Sequence, residues 1–146
     1  MSYSFTVGKT IRAPVKKLFE SFSKAKELST WFTNNHKHTF KVGGKYKNGD
    51  NDEGRYLEIK PGKLIRFTWE NKMHCPGTEV CIKFSNAGRK NSIIKLTHSK
   101  LVSEAHIKDM KMGWTWALAC LKSYLEKGNR ISFDAEWVGY CSNNTM

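Results

Sequence analysis

Long apolar runs are missing from this sequence. No stretch approaches the roughly 20 consecutive apolar residues that a membrane-crossing helix requires. The opening residues, MSYSFTVGKTIRAP, hold neither a basic leader ahead of an apolar core nor a small-residue cleavage site. A soluble, unexported, cytoplasmic chain without a transmembrane segment is expected. Cysteine is scarce: Cys75, Cys81, Cys120 and Cys141 are scattered and none forms a CxxC, which excludes a disulfide scaffold and suggests free thiols. His36-x-His38 and His74-Cys75 do not supply the four converging ligands of a structural zinc site, so no metal or other cofactor is expected. Catalytic signatures are absent too. There is no GxSxG, no P-loop, no GxGxxG and no carboxylate pair with a matched base, and the histidines at 36, 38, 74, 98 and 106 are dispersed.

Acidic residues are few, 13 against 25 lysines and arginines, for a net charge of +12. No acid falls between Glu27 and Asp50, where Lys37, Lys41, Lys45 and Lys47 lie, or between Glu79 and Glu104. Such stretches attract anionic partners, although lysine is also the ordinary occupant of exposed strand faces and edges. The arginines Arg12, Arg55, Arg66, Arg89 and Arg130 stand far apart, which argues against specific nucleic-acid binding.

What is present suits a globular domain: 146 residues, 39% hydrophobic and 12% aromatic. Residues 4–11 alternate as a half-buried strand. Pro14 is placed for a first helical turn, with Val15, Leu18, Phe19 and Phe22 at helical spacing, and a second short helix is expected over 25–32. Between 39 and 101 the period becomes two, with turn signals at Gly43-Gly44, Asn48-Gly49-Asp50, Pro61-Gly62, Pro76-Gly77 and Asn86-Ala87-Gly88. The segments between them, 45–47, 54–59, 64–70, 78–84 and 92–99, read as an antiparallel meander with one apolar face. A long helix is expected over 103–127, capped by Ser103 and stopped by Gly128, with an apolar stripe of Ile107, Met110, Trp114, Ala117, Leu118, Leu121 and Leu125. Gly113 interrupts it, marking either close packing or a neighbouring space. Residues 1–128 form the expected domain and 129–146 a tail that is polar and frayed at its end.

The segments APVKKLFESFS, LSTWF, FKVGGKY, GRYLEI followed by PGKLIRFTW, GTEVCIKF and GWTWALACLKSYLEKG occur in an order that resembles the homologues of the heat-shock-protein-90 ATPase activator. That family sits within the START-like, birch-pollen-allergen-like superfamily. The resemblance spans residues 5–128 and implies an α+β helix-grip fold, in which a curved antiparallel sheet with two short helices wraps around a long C-terminal helix. It also implies a cavity between them. The family's eukaryotic co-chaperones carry a separate N-terminal domain, whereas this sequence opens at the first strand of the grip domain, which speaks against stimulation of the chaperone's ATPase and leaves docking to it as the alternative. Catalysts occur in the wider superfamily, but no catalytic pair here supports that activity.

In such a fold one interior receives Trp31 and Phe32 from the second helix, Phe40, Tyr46, Tyr56, Phe67, Trp69 and Phe84 from the sheet, and Met110, Trp114 and Leu118 from the final helix. These residues suit the wall of an apolar pocket, and a packed core would use the same types. Glu58, His98, Tyr56 and Arg66 are the candidate polar groups for orienting a ligand. Glu58 enters the interior if Tyr56 does and is solvated if Leu57 and Ile59 point inward instead. His98, on a strand face with Ile94 and Leu96, suits a satisfied core histidine better than a base. The expected activity is binding of a small apolar or amphipathic molecule by a monomer or homodimer. The alternative is docking to a chaperone or other acidic protein surface through the lysine-rich segment.

Overall fold

Phe5, Val7 and Ile11 turn one side of strand β1 (Tyr3–Ile11) inward, and Pro14, in extended geometry, opens helix α1 (Val15–Ser23). The computed structural model describes residues 3–33, 35–49, 52–71 and 75–128. Helix α2 (Ala25–Trp31) follows, then β2 (Lys37–His38), β3 (Lys45–Lys47), β4 (Asp52–Lys60), β5 (Leu64–Asn71), β6 (Cys75–Asn86), β7 (Ser92–Leu101) and helix α3 (Glu104–Lys127). The strands form one seven-stranded antiparallel sheet in the order β1-β7-β6-β5-β4-β3-β2. Its connections from β2 to β7 run as a meander, and β1 closes onto the last strand. This is the helix-grip arrangement. The tail expected over 129–146 lies outside the described residues.

Alternation places Ile65, Phe67 and Trp69 of β5, Val80, Ile82 and Phe84 of β6, and Ile94, Leu96 and His98 of β7 on one buried face. The β4–β5 turn closes at Pro61-Gly62, with Gly62 at φ 73° and Lys63 N donating to Lys60 O at 2.9 Å. Gly54 is required by contact. A Cβ there would lie 2.0 Å from Thr68 O and 2.7 Å from the Tyr46 ring, which covers this glycine from the paired strand.

A β-bulge decides the fate of Glu58. Tyr56 pairs with Phe67 and Glu58 with Arg66, leaving Leu57 as the extra residue. Tyr56 therefore points inward, and two residues later Glu58 points outward to Lys60 and Arg66 at 3.3 and 3.4 Å. Strict alternation couples those two side chains; the bulge uncouples them.

The Ser103 hydroxyl accepts from His106 N at the start of α3, and Gly128 ends the helix at φ 74°. Glu126 accepts from Arg12 N at 2.8 Å and Lys122 Nζ at 2.6 Å, and Lys122 also donates to Thr10 O. These bonds hold the helix's last turns along β1. Helix α1 covers β6, where Phe19 and Phe22 meet Phe84 edge-on at 5.4 and 5.6 Å. The sheet face that the apolar stripe predicts for α3 is thus shared with α1. The buried side of α3 also includes Trp116 and Cys120, outside the stripe expected from periodicity, whereas Ile107, Met110 and Leu125 are only partly buried.

Candidate functional site

Aromatic side chains from α2, the sheet and α3 surround a cavity of about 40 Å³. Trp31 and Phe32 end α2, Tyr46 comes from β3, Tyr56 from β4, Phe67 and Trp69 from β5, and Trp114 from α3. Phe32 stacks on Trp114 with ring centres 5.6 Å apart and planes within 6°, while Trp69 meets Trp114 edge-on at 5.0 Å. Tyr46, Tyr56 and Phe67 form a second cluster with centres 5.6–6.0 Å apart. Each such pair contributes about 0.5–1.5 kcal/mol beyond burial, so the walls are stiff. Of the lining residues only Phe32 is half-buried; the others are buried. Phe32 is the exposed side of the enclosure.

Hydrogen bonds fasten these rings. Trp31 Nε1 donates to Ser21 O at 2.8 Å and Tyr46 OH to Thr68 O at 2.6 Å. Trp114 Nε1 donates to His98 Nδ1 at 3.0 Å, which assigns the proton of neutral His98 to Nε2, 2.7 Å from Thr78 Oγ1. Thr78 Oγ1 passes the relay to Trp69 O at 2.8 Å. Burial, aided by the neighbouring charge of His106, lowers the His98 pKa to about 4. It is a satisfied core histidine that orients the indole of Trp114.

A second imidazole cluster lies at the β2–β4 end. His38 Nε2 must donate to the Ser23 carbonyl at 2.9 Å, so Nδ1 of neutral His38 accepts from Tyr56 OH at 2.8 Å, and His36 Nε2 lies 3.1 Å from the same nitrogen. Burial, then the charge of His38, lowers the pKa of His36 to about 4. Desolvation likewise lowers His38 and raises the Tyr46 and Tyr56 hydroxyls, so the cluster is neutral at pH 7. His36 lines the cavity, and its Nδ1 is buried with no partner.

Residues 12–126 match the family model described as activator of Hsp90 ATPase homolog 1-like protein. The chain belongs to that family. No curated protein matches the chain. Among solved structures it is similar to CalU16 from Micromonospora echinospora, with 20% identity, a TM-score of 0.81, and coverage of 97% of this chain and 83% of that one. It is similar to Aha1 from Colwellia psychrerythraea, a dimer, with 20% identity, a TM-score of 0.77 and coverage of 87% and 98%. An HSP90 activator from Plasmodium falciparum gives 23% identity, a TM-score of 0.67 and coverage of 77% and 88%. Identities at this level establish a shared fold.

In this chain the expected wall residues separate. Trp31, Phe32, Tyr46, Tyr56, Phe67, Trp69 and Trp114 line the cavity. Phe40 instead packs against Phe19 and Tyr56, and Phe84 lies under α1, with neither lining it. Met110 and Leu118 belong to the core beside the cavity, because α3 presents only Trp114 at that level. His98 stands behind Trp114. Glu58 and Arg66 are on the outer face, where Arg66 binds Glu79 at 2.6 Å and hydrogen bonds from Lys60 and Arg66 lower the carboxyl pKa of Glu58. Neither can orient a ligand inside. Phe22, Leu28, His36, Ile65 and Ile82 complete the lining. The inward alternation of Ile65 and Ile82 made those two legible; His36 had no signal beyond its nearness to His38.

The outer face of β2, β3 and β4 carries a separate open groove of about 790 Å³. Lys37 pairs across strands with Lys47, and Lys45 with Arg55. Glu53 and Glu70 share the groove, and among the described residues none of these four cations forms an ion pair with an acid. Lys41 does not line it.

Proposed function

We propose that this domain is a binding module for a small apolar or amphipathic molecule, held between the sheet, α2 and α3. The observation that carries this reading is an aromatic-lined cavity whose exposed side is formed by one half-buried ring, Phe32. Its resting volume, about 40 Å³, is several-fold smaller than the roughly 150 Å³ that admits benzene to an apolar protein interior. The ligand is therefore small, and a ring-sized one enters with displacement of Phe32 from Trp114. Burial of its apolar surface, at about 25 cal/mol per Å², drives binding. Native mass spectrometry of the purified protein, beside a denatured and extracted sample, tests this. A reproducible adduct lost on denaturation is expected. A bare protein mass together with unchanged tryptophan emission on titration with toluene overturns it.

A second reading rests on the groove. Like charges directly opposite on paired strands repel, and Lys37–Lys47 and Lys45–Arg55 are two such pairs. An acidic protein surface would relieve both, in keeping with the family's connection to a chaperone. Charge-driven docking weakens steeply with salt, while uptake of an apolar ligand does not. An affinity for an acidic partner that is unchanged between low and high salt removes this reading.

A further inference from the structure

We infer that residues 134–138 of this chain add an eighth strand to the sheet, antiparallel to β1, with the Asp134 carboxylate beside Lys95. The sheet's long edge is filled by the chain's own continuation after α3 and not by a second copy. This holds whatever the cavity binds.

β1 is the end strand of the sheet, and among the described residues it pairs with β7 alone. It runs for nine residues, whereas β2, at the opposite end, has two. Thr10 O and Arg12 N are turned away from β7, toward Lys122 Nζ and Glu126 of α3. The β1–β7 register is unbroken from Phe5 to Ile11, so the backbone groups of Thr6 and Gly8 point the same way. Helix α3 closes the edge at Thr10 and Arg12, and among the described residues nothing pairs with it upstream. A long edge with unpaired N–H and C=O groups is a template for another strand, and folded proteins cover such edges.

The occupant follows from where α3 ends and from what comes next. α3 starts just after Leu101, which pairs with Tyr3, and its last turn reaches Arg12, so it runs parallel to β1. Gly128, at φ 74°, turns the chain back, and a chain returning from that point runs antiparallel to β1. The sequence there, ISFDAEW (131–137), alternates strictly, with Ile131, Phe133, Ala135 and Trp137 on one side and Ser132, Asp134 and Glu136 on the other. With Asp134 opposite Gly8, the apolar side falls on the core face of the sheet, Ala135 beside half-buried Val7 and Trp137 beside Phe5. Residues 129–133, at about 3.3 Å each, suffice for the return from Arg12 to Gly8.

The acidic side falls on the outer face. There Lys95 pairs with Gly8 on one strand and with Lys83 on the other, and both lysines line an open groove of about 480 Å³ with Lys60 and Lys63. Lysines directly opposite each other repel, and among the described residues neither Lys83 nor Lys95 forms an ion pair. Gly8 carries no side chain, and the Lys95 stem lies 3.6 Å from where its Cβ would be. Lys95 can therefore reach across Gly8 to an acid on the next strand, and Asp134 supplies it. The tether decides between this occupant and a second copy, because a linked segment meets its site at a millimolar effective concentration.

Amide hydrogen exchange of the full chain, read residue by residue by NMR at neutral pH, tests this. The Thr6 and Gly8 amides should be protected about a hundredfold or more over an unstructured chain, at any protein concentration. Glu136→Pro, which removes an N–H that faces β1 in this register, should abolish protection at Thr6 and leave Val7, whose N–H faces β7, protected. Asp134→Lys should lower protection at Gly8 about fivefold, and adding Lys95→Asp should restore it. Free exchange at Thr6 and Gly8 in the unmodified protein overturns the inference. Protection that appears only where sedimentation shows a dimer assigns the edge to a second copy and overturns it as well. Protection indifferent to Glu136→Pro overturns the choice of segment, and protection indifferent to Asp134→Lys overturns the pairing with Lys95.

Discussion

Replacing Trp114 by Phe separates the packing role of this residue from its hydrogen bond. Trp114 is 6% exposed, and its N–H bonds to Nδ1 of His98, which is 0% exposed, at 3.0 Å. The substitution keeps a ring for Phe32 and Trp69 to pack against but strands the imidazole acceptor, at a cost of about 1–3 kcal/mol. Contraction of indole to phenyl uncovers roughly 40 Å² of apolar surface, about 1 kcal/mol more. The variant should lose about 2–4 kcal/mol in urea unfolding, and its thermal midpoint should fall by about 6–12 °C. His98→Leu removes the other partner. In the double variant the losses should be less than additive by about 1–2 kcal/mol, since nothing is then left unpaired between these positions. Additivity within about 0.5 kcal/mol would refute the bond as an energetic contributor and with it the claim that His98 orients the cavity wall.

Acid should destabilise the fold early. His36, His38 and His98 all have pKa values below the ordinary 6.5, chiefly through burial, so the unfolded chain binds more protons as pH falls from 6.5 toward about 4. Stability is full above 6.5 and declines through that window; a flat urea midpoint between pH 7 and 5 would contradict it. Gly54→Ala should destabilise by about 2 kcal/mol or more, because backbone and the Tyr46 ring occupy the space of the new methyl. Gly113→Ala, in a helix with nothing within 4 Å of the added Cβ among the described residues, should stabilise by up to about 1 kcal/mol, and paired thermal melts check both signs. Glu58→Gln should leave the urea midpoint and toluene binding unchanged, as its carboxylate lies outside with two cations.

Local patterns carried most of the architecture. Alternation in LIRFTW and EVCIKF placed Ile65, Phe67, Trp69, Val80, Ile82 and Phe84 inward, and Ser103 and Gly128 marked both ends of α3 because caps are properties of a few adjacent residues. Side-chain periodicity is likewise intrinsic to each element, which is why the order of strands and helices was legible. The tertiary structure decided what lies between elements. A one-residue bulge in β4 turned Glu58 outward while Tyr56 stayed inside, a choice made by pairing with β5 and invisible to a period of two. The shared covering of the sheet by α1 and α3 moved Phe84 and Leu118 away from the cavity, and only packing fixed its volume near 40 Å³. His36 joined the lining because the fold set it beside His38, which Tyr56 and the Ser23 carbonyl hold in place. Periodicity says which side chains face inward; which of them meet, and which polar atom is left unpaired, depends on contacts between residues far apart in the chain.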